Sequence, residues 1–233
     1  MEDLVYWRHP TVPGIKIEEV CGGECRNANV WREMACQVYC ENGRDGYREL
    51  GHFRNGAPFI NGSDARISIS HTDGLYVVAT LPETPETDLS EFSERAAIGV
   101  DTERKDREQV LRVRERFLSN AELAAIPADD LLKNVIAWTA KEAAYKAALC
   151  EGLDFRNAIR IEKLPGISPS VPVYDKAEFP EIVYGKATVL RTATKEGQPG
   201  EEIELVLYSY ESEGHIVTMA YSPKCAKFSK THK

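Results

Sequence analysis

Short apolar runs, one of which (67–70) alternates with polar residues, lie on both sides of a proline- and acid-rich stretch at residues 81–95. Such runs predict strands, which we expect at 57–60, 67–70, 75–80, 96–101, 158–162, 182–190, 203–210 and 216–221. Helical periodicity predicts helices at about 29–40, 106–125 and 129–150. Helices and antiparallel strands in both parts of the chain predict an α+β fold. The stretch at 81–95 would join an N-terminal half, 1–95, to a C-terminal half, 96–233.

The composition is that of a globular protein with a sizeable core. The chain has 233 residues, of which 42% are hydrophobic, and a net charge of −8. The acidic balance argues against a nucleic-acid partner, and no apolar run approaches the ~18 residues that a membrane span needs. The first residues lack the pattern of a secretory signal, so we expect a cytoplasmic protein without membrane association.

Four cysteines near the N-terminus, Cys21, Cys25, Cys36 and Cys40, form two C-x3-C pairs. This spacing lies within the range of zinc ligands. The second pair falls on the predicted helix at 29–40, where cysteine is often a small buried residue and a helical pair rarely converges with a loop pair on one metal. The sequence leaves metal binding by this set open and favours the structural interpretation.

The predicted helix at 129–150 carries charged residues on an apolar face. That face is formed by Leu131, Val135, Trp138, Tyr145 and Leu149. Glu142 lies in the middle of the stripe and Lys146 lies one turn further on. An exposed glutamate–lysine pair is one interpretation. The apolar surroundings favour another, in which Glu142 is a partly buried carboxylate that faces a cation, because an uncompensated charge is costly there.

Two further carboxylates follow the predicted strand at 96–101. Residues two apart on a strand point to the same side, so Asp101 and Glu103 present their carboxylates together. Mg²⁺ prefers such oxygen ligands and often shares them with substrate phosphates. Asp101, Glu103 and Glu142 therefore predict a magnesium site with room for a pyrophosphate.

Polar side chains also end the strand at 67–70. Ser70 and His71 carry hydroxyl and imidazole groups that suit contact with phosphate oxygens. A surface histidine without a function is the alternative.

Four segments together resemble the motifs of a known enzyme family. Its motifs read I-S-H-S/T, G-I/V-D-x-E, R-F-F-S-x-x-E and W-S/T-x-K-E-A/S-x-x-K, and the matching segments here are 69–72, 99–103, 116–122 and 138–146. The family is the 4′-phosphopantetheinyl transferases, in their larger, surfactin-synthetase-activating class. All four motifs occur in order, although none of them would suffice alone.

The resemblance implies two similar halves packed as a pseudo-dimer, each a helix on a small antiparallel sheet, with the active site in the cleft between them. It implies a monomer that transfers 4′-phosphopantetheine from coenzyme A to a serine of an acyl, peptidyl or polyketide carrier protein and releases 3′,5′-ADP. Asp101, Glu103 and Glu142 would bind Mg²⁺. Lys141 and Lys146 would contact phosphates.

On the same resemblance, Ser70 and His71 would hold the nucleotide, with His71 at its 3′-phosphate. Asp101, Glu142 and Lys146 would carry the catalysis, with either Glu142 or Lys146 as the base.

One departure concerns the family's G-K-P motif, whose lysine is replaced here by Ala57. Arg54 or Arg66 is a candidate to supply the missing charge. The replacement also leaves open a degenerate module that binds coenzyme A or a carrier protein without catalysis, and another Mg²⁺-dependent phosphoryl enzyme is a further alternative.

Basic residues at 104–107, with Arg112, Arg114 and Arg116, form a candidate docking patch for an acidic carrier protein. A solvated helix face is the alternative.

Overall fold

The structure, a computed structural model, describes residues 4–8, 15–21, 50–53, 56–61, 65–81, 98–168, 183–191 and 201–222. The strands are β1 Leu4–Arg8, β2 Lys16–Cys21, β3 Leu50–His52, β4 Pro58–Ile60, β5 Arg66–Thr72, β6 Leu75–Leu81, β7 Ile98–Arg104, β8 Ile159–Lys163, β9 Ile167–Ser168, β10 Gly185–Arg191, β11 Glu201–Ser212 and β12 His215–Tyr221. The helices are α1 Gln109–Phe117, α2 Asn120–Ala125 and α3 Leu131–Ala148.

Several sequence predictions lie outside these residues. They are the helix at 29–40, the stretch at 81–95 beyond Leu81, Arg54, and the cysteines Cys25, Cys36 and Cys40. Among the described helices, none is long and apolar enough to cross a bilayer.

The described strands form two main sheets. The N-terminal sheet has the order β1-β2-β6-β5, and the C-terminal sheet has the order β7-β12-β11-β10-β8, with β9 alongside β11. All pairings are antiparallel except that of β9 with β11. A separate pair, β3 and β4, lies before β5 in the chain. The predicted combination of helices with antiparallel sheets is confirmed. The similarity of the two halves stays a prediction, since the helix predicted for the first half is outside the described residues.

The C-terminal sheet lies between the N-terminal sheet and helix α3. On one face, Val100 and Met219 pack with Ile17 and Val77 of the N-terminal sheet. On the other face, the alanines of α3 pack against apolar residues such as Leu207. Strand β7 therefore has the N-terminal sheet on one side and α3 on the other, which places its acidic end where three layers meet.

Helix α3 approaches β7 closely because both elements have small residues at the contact. A Cβ atom on Gly99 would lie 2.6 Å from the backbone nitrogen of Ala147 and closer still to the carbonyl oxygen of Ala143. No side chain fits there, so the glycine before Asp101 is a packing requirement. The same contact brings Glu142 and Lys146 to the end of β7.

The fully buried face of α3 differs from the predicted stripe. Ala140, Ala143, Ala144 and Ala147 are at most 1% exposed, whereas the stripe that contains Glu142 is only half-buried over much of its length. Close packing on β7 favours the small side chains and leaves the larger ones at the edge of the contact.

The single helix predicted at about 106–125 is wrong, because α1 and α2 are separate. Leu118 is extended, and Ser119 caps α2 in a capping box with Glu122.

Candidate active site

Asp101 is the point at which β5, β7 and α3 meet. Its side chain is buried, and its Oδ1 atom accepts hydrogen bonds from Ser70 Oγ at 2.9 Å and from Lys146 Nζ at 2.8 Å. Lys146 Nζ also donates to the carbonyl oxygen of Val100 at 3.0 Å. The structure therefore joins the acidic strand end to the helix 45 residues later in the chain.

Glu142 lies one helical turn before Lys146. Burial and, to a smaller extent, the negative charge of Asp101 raise the pKa of its carboxyl group from 4.5 to about 7, against the opposing effect of Lys146. Within the described part of the chain, no hydrogen bond or ion pair to this carboxylate is found. The two carboxylates of Asp101 and Glu142 thus carry more negative charge than Lys146 neutralises. A cation bound between them would stabilise this cluster.

Glu103, the third predicted ligand, has a different environment. It is 5% exposed, forms an ion pair with Arg107, and accepts a hydrogen bond from the backbone N–H of Arg104 at 3.0 Å. Among the described residues, no three metal-ligating side chains lie close enough together to hold an ion. Asp101 and Glu142 carry the oxygen atoms that a divalent cation takes as ligands, while Glu103 is paired with Arg107.

A pocket of about 240 Å³ opens beside this cluster. It lies between the loop Gly56–Pro58, the strand segment Ile67–Ile69 and the end of α3, from which Tyr145, Lys146, Leu149 and Cys150 line it. Lys146 therefore contacts Asp101 and also lines the pocket. Ala57, which replaces the family's lysine, is part of the lining, whereas Arg66 is not.

Ser70 and His71 point to opposite faces of β5. Ser70 is 6% exposed, and its hydroxyl lies between β5 and β7, bonded to Asp101. His71 is exposed on the same face as Ile67 and Ile69, which line the pocket, and its ring meets Tyr76 edge-on at 5.5 Å. The structure thus places Ser70 at the acidic cluster and His71 on the opposite face of the strand, outside the lining of the pocket.

Lys141 lies in the protein interior, away from the pocket lining. It is 0% exposed, forms an ion pair with Glu122 at 2.8 Å, and donates to the carbonyl oxygens of Phe155 and Ile159. Burial lowers the pKa of Lys141, and Glu122 opposes this shift. All three N–H donors are occupied, so the structure gives this lysine a different environment from the phosphate contact that the resemblance implied.

Glu122 has a structural role that the sequence reasoning missed. Besides Lys141, its carboxylate accepts backbone hydrogen bonds from Ser119 and Ile161, each at 2.7 Å. It connects α2, α3 and β8 in the interior. The S-x-x-E spacing of a capping box was the available signal for its link to Ser119.

The candidate basic patch is smaller than the sequence suggested. Arg104, Lys105 and Arg107 pair with acidic residues, and Arg114 bonds to Asn134 and to the carbonyl oxygen of Ile126. Arg112 and Arg116, four residues apart on α1, remain exposed.

Arg112 also borders a wide polar pocket of about 570 Å³ that includes Glu103. Arg112 and Glu103 therefore line the same pocket.

Comparison with known families matches the part of the chain that carries this cluster. A family model for the 4′-phosphopantetheinyl transferase superfamily matches residues 97–196. This range contains β7, α1, α2 and α3, and hence Asp101, Glu142 and Lys146. A search of curated proteins found no match to this chain. The matched region supports a transferase of this superfamily, without distinguishing the larger class from the smaller one.

Proposed function

We propose that this protein transfers 4′-phosphopantetheine from coenzyme A to a serine of an acyl, peptidyl or polyketide carrier protein in a Mg²⁺-dependent reaction. The supporting observation is that Asp101 and Glu142 lie beside Lys146, which lines a pocket, and that all three residues fall within the range that matches the transferase superfamily. The pocket would receive coenzyme A, and the cluster would face its pyrophosphate.

The donor set suits Mg²⁺, which takes oxygen ligands and usually keeps some of its waters. Asp101 and Glu142 would hold it, and Glu103 would join them once its ion pair with Arg107 opens. When bound, the metal would stabilise the negative charge that develops on the pyrophosphate oxygens.

In the proposed reaction, the serine oxygen attacks the phosphorus atom that carries the pantetheine. The bond from this phosphorus to the bridging oxygen breaks, and 3′,5′-ADP leaves with the electron pair. Lys146 neutralises part of the developing charge, because Asp101 and the Val100 carbonyl hold its ammonium at the pocket edge.

Glu142 is the better candidate for the base that takes the serine proton. The pKa of about 7 is that of the metal-free carboxyl group, and a bound cation would lower it. Glu142 would accept the proton on a carboxylate oxygen that the metal leaves free. Its carboxylate also has no hydrogen-bond partner among the described residues. The Nζ atom of Lys146 is instead a hydrogen-bond donor to Asp101 and to the carbonyl oxygen of Val100.

Further residues are proposed to contact the nucleotide of coenzyme A and the carrier protein. His71 remains our candidate for the 3′-phosphate, with Arg54 for the charge that Ala57 lacks. For Lys141 we propose a structural role through Glu122. The exposed pair Arg112 and Arg116 would dock the acidic carrier protein. The cytoplasmic location and the monomeric state stay predictions.

The direct test is incubation with apo carrier protein, coenzyme A and Mg²⁺, followed by intact mass measurement. The wild-type protein should add one phosphopantetheine to the carrier, and E142A and K146A should lose the reaction. K133A is the matched control, because Lys133 is exposed on the same helix and pairs with Asp130. Absence of the mass gain for every carrier tested would refute the proposal.

A second candidate function is a module that binds coenzyme A without catalysis. The observation that favours it is Ala57, which lines the pocket at the position of the missing lysine. Coenzyme A binding in calorimetry together with an unmodified carrier would support it.

A further inference from the structure

Two serines of the N-terminal sheet close the open edge of β7. The backbone N–H of Val100 donates to Ser68 Oγ at 2.9 Å, and that of Thr102 donates to Ser70 Oγ at 3.1 Å. Strand β7 is the last strand of its sheet in the described order, so these groups have no neighbouring strand to bond. The two serine hydroxyls take the place of a strand backbone and connect the N-terminal sheet to the acidic strand.

Only one of these serines also contacts a carboxylate. Ser70 Oγ donates to Asp101 Oδ1, which also accepts from Lys146 Nζ. Both donors use Oδ1, and no hydrogen bond to Oδ2 is found among the described residues. Ser70 therefore fixes the rotation of the Asp101 carboxylate and leaves its second oxygen for a ligand.

We propose that Ser70 is a positioning residue for Asp101 in metal binding, and that its hydroxyl does not contact the nucleotide. The inference rests on the proposed function, because it requires that Asp101 binds Mg²⁺. The burial of Ser70 supports it, since a residue that is 6% exposed between two strands presents little surface to a nucleotide phosphate. A second consequence is that the N-terminal sheet supports the metal site from outside the matched range 97–196.

Three variants test this role. S70A removes the hydroxyl, and S70T keeps a hydroxyl at the same position. S68A removes the neighbouring hydroxyl, whose one hydrogen-bond partner among the described residues is a backbone N–H. Mg²⁺ affinity is measured by calorimetry with saturating coenzyme A and no carrier protein, so that no turnover occurs. The kcat and KM values are then compared for coenzyme A and for its analogue without the 3′-phosphate.

We expect S70A to weaken Mg²⁺ binding about tenfold, as is typical for loss of a group that orients a metal ligand. S70T should restore most of the affinity, and S68A should retain it. The preference of S70A for coenzyme A over the analogue should equal that of the wild type, because the 3′-phosphate does not meet Ser70. A general structural defect would instead lower the Mg²⁺ affinity of S68A and S70A alike.

Wild-type Mg²⁺ affinity in S70A would overturn the inference while leaving the proposed function intact. An equal loss of affinity in S68A would overturn it as well, as would loss of the preference for the 3′-phosphate in S70A. If the wild-type protein binds no Mg²⁺, the proposed function fails and the inference fails with it.

Discussion

Replacing Glu142 by glutamine removes a charge that the fold makes costly. Burial and the charge of Asp101 raise the pKa of Glu142 from 4.5 to about 7. One pKa unit corresponds to about 1.4 kcal/mol, so this shift corresponds to about 3 kcal/mol when the group is fully charged. Because Glu142 is only half-buried, we expect E142Q to raise the free energy of unfolding by about 1–3 kcal/mol at pH 8 in the absence of metal.

The pH dependence has a definite sign. The pKa is higher in the folded state, so between pH 4.5 and about 7 the folded protein holds a proton that the unfolded chain has lost. The stability contributed by this proton is therefore lost as the pH rises through that window. Below pH 4.5 the carboxyl group is neutral in both states, so E142Q should match the wild type there.

Urea denaturation near pH 4 and at pH 8 measures the difference in the free energy of unfolding between E142Q and the wild type. E115Q is the control, since Glu115 is exposed on α1. Mg²⁺ should stabilise the wild type at pH 8, because the metal binds the folded state. The difference in the free energy of unfolding between E142Q and the wild type should therefore become smaller. The reasoning is refuted if E142Q is no more stable than the wild type at pH 8, or if E115Q gains as much.

Three further changes test the packing, the buried ion pair and the docking surface. G99A should lower the free energy of unfolding by about 3 kcal/mol in urea denaturation, because its methyl group meets the backbone of α3; wild-type stability would contradict the close contact. K141M should cost about 3–5 kcal/mol in the free energy of unfolding by leaving Glu122 charged and buried. Adding E122Q should recover part of this loss, because glutamine removes the charge and keeps one oxygen as an acceptor for a backbone N–H. R112E/R116E should raise the KM for carrier protein more at low salt than at high salt, with the KM for coenzyme A unchanged. If the variant has the wild-type KM for carrier protein at both salt concentrations, these arginines do not take part in docking.

The C-terminal part of the fold could be predicted well because its strands and helices have strong local patterns. Strand β7 and helix α3 lie within two or three residues of their predicted bounds. The break between α1 and α2 was missed, since the apolar spacing continues across Leu118 and Ser119 while the capping box interrupts the helix. The N-terminal half is described only in part, so its predicted helix and cysteine pairs stay predictions.

The sequence by itself determined that carboxylates and lysines occupy the end of a buried strand and an otherwise apolar helix, and the structure brings Asp101, Glu142 and Lys146 together there. It did not determine the partner of each charge. Lys141 and Lys146 look equivalent in one motif, yet one bonds Glu122 in the interior and the other bonds Asp101 at a pocket. The tertiary structure decided this difference, because burial and pairing depend on residues brought close by packing rather than on neighbours along the chain.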